Sequence, residues 1–244
     1  MINKLQLQSI ISKYYLGGLI ESVKWVVAEN NLSIRTKTNN NNLVCELECN
    51  DFPLEDSEVA IYETSQLNRL INITSGELDL NLQKKHKLNT KLLIDDANYS
   101  LFYNLAELML IPKVETVIAV PYDVEIILDN EKIGAIVKAK NAIPESNHLV
   151  IESKKNINGD TSIDFTFGDA DEHTNKINYN IPEGVKIEKD IKLPFHSDLI
   201  KEILNANKDV DEGKMEISDK GIMRLTFKKD NIKSKYYVLR KVDF

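Results

Sequence analysis

One short pattern occurs twice in this chain. Ser65–Ile71 (SQLNRLI) and Ser197–Ile203 (SDLIKEI) both read S-x-L-x-[RK]-x-I. Each is followed by a glycine and an alternating run: Gly76 then Glu77–Leu82, and Gly213 then Lys214–Ile217. Each half then runs on to further alternating segments, ending at Tyr99–Tyr103 and Tyr236–Val242. A second correspondence precedes the first. Leu7, Ile10, Ile11 and Tyr14 form an i, i+3, i+4, i+7 stripe, and Ile133, Ile136 and Val137 repeat its first three positions behind Asp129, a natural N-cap. The order helix, strands, helix, strands therefore recurs, over about 1–105 and 121–244, with 106–120 between. A repeat of that size constrains the fold more than any single motif, because each copy must be a structural unit of its own.

Around these four short helices lie β-like runs. They are Val23–Ala28, Leu32–Lys37, Leu43–Glu48, Lys91–Ile94, Leu149–Ser153, Thr161–Phe167, Lys176–Ile181 and Ile222–Phe227, besides those named above. Polar, turn-prone stretches such as Asn39–Asn42, Asn156–Asp160 and Asp219–Gly221 separate many of them. The fold class expected is α+β, with much more strand than helix, in two similar domains.

Several functions are disfavoured by what is absent from the sequence. No run approaches the ~18 apolar residues of a membrane span, and Met1–Tyr15 is too polar for a signal peptide. The expectation is a soluble, cytoplasmic protein. Cys45 and Cys49 sit four residues apart on one strand, roughly 13 Å, too far to bridge. His86, His148, His173 and His196 show no ligand spacing, and neither a metal nor a cofactor is expected. Asp169, Asp171, Glu172 and His173 begin like a calcium loop but lack its glycine and closing glutamate, so an acidic hairpin loop is the better account. Asp95 and Asp96 are adjacent on a strand and point to opposite faces. With no phosphate loop and no nucleophile motif, the chain does not read as an enzyme. A hydrolase with a site assembled from distant residues is the remaining enzymatic alternative.

Charge is unevenly placed. The four helical segments (2–15, 64–73, 130–142 and 195–208) carry eight basic and three acidic side chains, a net +5. The chain as a whole is −7, which leaves −12 for the rest. At ~100° per residue, Lys13, Arg69, Lys138 and Lys201 are expected to face away from the apolar stripes. Lys140 falls beneath its stripe, and Lys4 precedes or opens its helix. A solvated helix face is the ordinary reading of such lysines. Basic side chains presented from several helices can also follow phosphates without reading bases.

Four pieces of sequence go further: Glu58–Glu63 (EVAIYE), Leu93–Tyr103 (LIDDANYSLFY), Phe165–Asp171 (FTFGDAD) and the terminal Val242–Phe244. In their order and spacing, the chain resembles the sliding clamps, the DNA polymerase processivity factors, of T-even-type bacteriophages. It more distantly resembles the clamp of eukaryotes and archaea. The resemblance implies the DNA-clamp fold in a ring-shaped homotrimer, with helices inside around double-stranded DNA and antiparallel sheets outside. It implies a clamp loader, a tethered DNA polymerase and a role in viral DNA replication in the host cytoplasm. The DNA-facing residues carried over are Lys13, Arg69, Lys132, Lys138 and Lys201, with Lys4, Lys140 and Lys208 as further members. Partner peptides are implied to bind near the interdomain connector 106–120. Its apolar run Leu108, Met109, Leu110 and Ile111, with Val238, is the candidate pocket; core or a subunit seam is the alternative for those residues. Asp198 and Glu202 beside Lys201 and Lys208 leave the fourth helix with little net attraction for DNA. The alternative to a clamp is a non-enzymatic phage structural or scaffold protein of duplicated α+β architecture.

Overall fold

The computed structural model describes residues 1–155, 161–168 and 175–242. The acidic loop at Asp169–His173 and the last two residues lie outside these. The chain divides into two compact units, Met1–Thr116 with Asn231–Ser234, and Val117–Asp230 with Lys235–Phe244.

In the first unit, strand β1 (Ile2–Asn3) leads into helix α1 (Lys4–Tyr15). Strands β2 (Val23–Ala28), β3 (Asn31–Lys37), β4 (Leu43–Cys49) and β5 (Ser57–Ile61) follow, then helix α2 (Thr64–Asn72) and strands β6 (Glu77–Lys85), β7 (Leu88–Asp95) and β8 (Ser100–Asn104). These strands make two antiparallel sheets, ordered β4-β3-β2-β5 and β1-β6-β7-β8. Alternation decides which face of the first is core. Val23, Trp25 and Val27 of β2 and Leu32, Ile34 and Thr36 of β3 point inward, while Lys24, Ser33 and Arg35 stay on the other face. Cys45 and Cys49 both lie on the buried side of β4 as free thiols. Burial pushes the Cys45 thiol well up, and burial with the nearby Asp51 carboxylate raises Cys49 to about 11.

Helix α1 begins where Asn3 Oδ1 accepts from the Leu5 amide at 3.0 Å, and ends at Leu16, whose φ of 48° is left-handed. Its stripe Leu7, Ile10, Ile11 and Tyr14 is fully buried, and each of the three aliphatic side chains contributes roughly 1.5–3 kcal/mol of transfer free energy.

In the second unit the order is β9 (Val124–Ile127), α3 (Asn130–Ala142), β10 (His148–Lys155), β11 (Thr161–Phe167), β12 (Ile177–Ile181), β13 (Val185–Ile187) and β14 (Lys192–His196). Helix α4 (Ser197–Ala206) and strands β15 (Glu212–Ile217), β16 (Ile222–Lys229) and β17 (Ile232–Leu239) complete it. Its sheets run β12-β11-β10-β14 and β13-β9-β15-β16-β17. Asp129 caps α3, its Oδ1 accepting from the Lys132 amide at 2.8 Å. Sheets dominate both units.

The second helices of the two units start alike. Thr64 Oγ1 donates to the Glu21 carbonyl at 2.7 Å, and Ser197 Oγ donates to the Ser146 carbonyl at 2.6 Å. This equates Thr64, not Ser65, with Ser197, a register one residue away from the one the sequence pattern suggests. Burial is compatible with it, Thr64, Leu67 and Ile71 matching Ser197, Ile200 and Leu204, although Leu199 and Ile203 are buried too. Arg69 then corresponds to Glu202, and Lys201 to Asn68.

Candidate functional site

The helices place the eight basic candidates in very different surroundings. Arg69 on α2 and Lys138 on α3 are exposed, each opposite the buried stripe of its helix. Lys208 is also exposed, just beyond the end of α4.

Lys13 is not outward-facing: it is 4% exposed. It stands about 110° around α1 from the centre of the apolar stripe, a flank and not the opposite face, at ~100° per residue. The solvent side of α1 carries Leu5 and Ser12 instead, with Gln8 and Ser9 half-buried. Lys4 opens α1 and its ammonium donates to the carbonyls of Asn72 at 2.8 Å and Thr74 at 2.6 Å. It closes the C-terminal end of α2, where orphan carbonyls and the helix dipole favour a cation.

Lys140 is also withdrawn from solvent, at 2% exposure. Its ammonium donates to the carbonyls of Pro144 at 2.8 Å and Ser146 at 2.7 Å, and lies 3.1 Å from the Asp198 carboxylate. Lys132 is half-buried and pairs with Asp129 at 2.5 Å. Lys201 is a quarter exposed and pairs with Glu202 at 3.0 Å. The solvent side of α4 is formed by Asp198 and Asn205, with Lys201 and Glu202 half-buried beside them. It carries no net positive charge, so this helix offers phosphate little attraction.

The connector forms a real cavity. From Ala106, bridged to Ala60, the chain makes a 3-10 turn at Leu108–Leu110 and crosses the outer face of β2 and β3. A pocket of about 480 Å³ opens between them, within the range of ligand sites. Leu108, Met109 and Ile111 line it, together with Pro112, Lys113 and Val114. Leu110 is exposed and does not line it. Val238 is fully buried on β17 and takes no part, because its strand position faces the core.

The opposite wall is one that periodicity did not single out: Lys24, Val26, Ser33, Arg35 and Glu58. Lys24, Val26, Ser33 and Arg35 are the non-core positions of the alternating strands β2 and β3, and Glu58 is an exposed position of β5. The outward valine at position 26 was the available signal. Lys24 pairs with Glu58 at 3.0 Å, and Arg35 forms an ion pair with Glu46 at 3.3 Å and donates from Nη2 to the Glu115 carbonyl at 2.9 Å. The arginine thereby holds the connector down on the sheet.

Among the described residues, no group of three or more His, Cys, Asp or Glu side chains is placed to hold a metal ion. None of the described helices is long and apolar enough to cross a membrane.

No protein-family model matches the sequence, and no curated protein matches it. Solved structures do. The crystal structure of proliferating cellular nuclear antigen from Entamoeba histolytica superposes with a TM-score of 0.78, covering 98% of this chain and 96% of that one. The chain has a clamp fold. Identity is 16%, so the likeness lies in the architecture and not in conserved side chains.

Proposed function

We propose that this chain is a sliding clamp: three copies close into a ring around duplex DNA and tether the replicative DNA polymerase. The observation that carries this reading is the clamp fold matched along nearly the whole of both chains. In this reading, residues 1–105 and 121–244 are the two clamp domains and 106–120 the connector. The protein has no catalytic step of its own. A clamp loader driven by ATP opens and closes the ring, and the setting is viral DNA replication in the host cytoplasm, by a clamp of T-even bacteriophage type.

Two features support the DNA-facing role of the helices. Arg69 and Lys138 project from opposite their buried stripes, and many of their neighbours are neutral polar groups such as Gln66, Asn68 and Asn141. Few, exchangeable phosphate contacts suit a protein that must slide. An acidic remainder of −12 disfavours nucleic acid elsewhere on the surface. The connector pocket, with Leu108, Met109 and Ile111, takes the apolar side chains of partner peptides, the polymerase's among them.

Self-association has candidate edges. Strand β8 ends one sheet and β12 ends another, and β8 exposes Phe102. Unpaired strand edges are ready templates for pairing with another chain.

Light scattering should give three times the 27.8 kDa chain mass. Primer extension should be stimulated only with loader and ATP present. A stable monomer that leaves the polymerase unstimulated contradicts the proposal.

A further inference from the structure

The hairpin joining β6 to β7 is a concentrated basic stretch of this acidic chain. From Leu80 to Ile94 there are four lysines (84, 85, 87 and 91), one histidine and no acid. Its tip, His86 and Lys87, has φ of 52° and 67°, the paired left-handed values of a tight turn. Residues 83–88 are all exposed. Only part of this charge is used within the fold. Lys84 is engaged, pairing with Glu55 at 2.8 Å, and Lys91 lies over the Phe102 ring at 5.6 Å. Lys85 and Lys87 have no ion pair among the described residues.

The hairpin is anchored beside the connector pocket. Asn89 Nδ2 donates to the Glu58 carbonyl at 3.1 Å, and Glu58 belongs to the pocket wall. The Leu105 amide, immediately before the connector, donates to the Thr90 carbonyl at 2.9 Å. Lys85, paired with Leu88, and Lys87 in the turn lie one to two positions beyond Asn89, roughly 3–7 Å along the strand; counted from the Glu58 carbonyl, that is a span an extended peptide covers in about three residues. Of the charged side chains lining the pocket, Lys24 and Glu58 offset each other and Arg35 is paired with Glu46, which leaves Lys113 as a further cation.

We infer that Lys85 and Lys87 receive an acidic segment of the same peptide whose apolar side chains enter the connector pocket. The inference rests on the pocket reading above and adds to it the chemistry of the partner: an apolar anchor and, about three residues away on the Glu58 side, two or more carboxylates. Charge complementarity calls for an anionic partner, and the apolar pocket beside the hairpin carries the choice of a peptide over nucleic acid, because a duplex has no apolar group to place there.

The test uses two fluorescein-labelled peptides in anisotropy titrations on the full chain. Both carry a Leu-Leu-Phe anchor and a short Gly-Ser spacer; one then has four glutamates, its twin four glutamines. At low salt the glutamate peptide should bind about tenfold tighter, and the advantage should fade as salt screens it. Lys85→Glu with Lys87→Glu, at exposed positions, should remove that advantage and leave the glutamine twin unchanged. Equal binding of the two peptides overturns the inference while leaving the pocket reading intact. Failure of both peptides to bind, or indifference of both to Met109→Ala with Leu108→Ala, overturns the pocket reading itself. If the double lysine variant instead loses affinity for a short DNA duplex and the glutamate peptide shows no advantage, the hairpin is a nucleic-acid contact and the inference is wrong.

Discussion

The Lys140 ammonium lies 3.1 Å from the Asp198 carboxylate, joining the end of α3 to the start of α4. The two partners are unequal: the lysine side chain is 2% exposed and the aspartate 61%. Asp198 can therefore be rehydrated when the pair is broken, and Lys140 cannot. Asp198→Asn should cost about 1–3 kcal/mol, because it leaves the buried ammonium with its carbonyl acceptors and no counter-charge. Lys140→Ala should cost about 2–4 kcal/mol, because the carbonyls of Pro144 and Ser146 lose their donor and a cavity opens. Urea denaturation of the two variants measures both.

Burial separates the basic candidates into two kinds. Lys13→Glu would place a carboxylate in a site 4% exposed, and should lower stability by several kcal/mol through unpaired-charge burial. Arg69→Glu with Lys138→Glu, both at exposed positions, should leave the urea midpoint within experimental error of wild type. That double variant should instead weaken DNA association and flatten its salt dependence, read as the slope of log affinity against log salt. Loss of stability in the exposed pair would contradict this division.

Glu216 predicts an acid response. Burial alone would raise its carboxyl, but Arg224, bonding it twice at 2.7 Å, and Lys214 at 3.1 Å outweigh that and hold it below the ordinary range. A lowered folded value means that its stabilisation is present above the unfolded value of about 4.3 and is lost as pH falls through the folded value. Asp164 shifts the same way, where hydrogen bonds from Lys154 and Asn180 outweigh the burial that would raise it. Glu216→Gln should lower stability at neutral pH by about 1–2 kcal/mol, discounted for the partly exposed arginine. It should also make the loss of stability below about pH 4 shallower than in wild type. Urea midpoints taken across that range check the sign.

Phe102 stands 58% exposed on the unpaired edge of β8. If that edge joins copies of the chain, Phe102→Asp should weaken self-association about 30-fold, the effect of losing one buried aromatic anchor. Sedimentation equilibrium should then find folded monomer where the wild type is assembled.

Local pattern carried much of this architecture, and long-range packing the rest. Strands with one wet face, such as β2 and β3, announce themselves by alternation, because Trp25 and Ile34 point in while Lys24 and Arg35 point out. Strand β5 does not, since Val59, Ala60 and Ile61 are all buried and alternation disappears. The last strand starts at Ile232, four residues before Tyr236, because the Asp230–Asn231 turn, with Asp230 at φ 51°, sets its register. Helical angles placed Arg69 and Lys138 correctly on solvent faces. The flanking position of Lys13 needed tertiary packing to decide, as did the capping of α2 by Lys4, from 68 residues away. The pocket was half legible: the connector run was visible, whereas its far wall comes from strands that only the fold brings beneath it.

The central claim is topological, so retention on DNA of different topology tests it most directly. The protein is loaded with clamp loader and ATP onto a nicked circular plasmid and separated from free protein by gel filtration. The account predicts co-elution with the circle and release when one restriction cut linearises it, with the exposed-face double variant still retained on the circle once loaded. Equal retention on circular and linear DNA, or none on either, contradicts it.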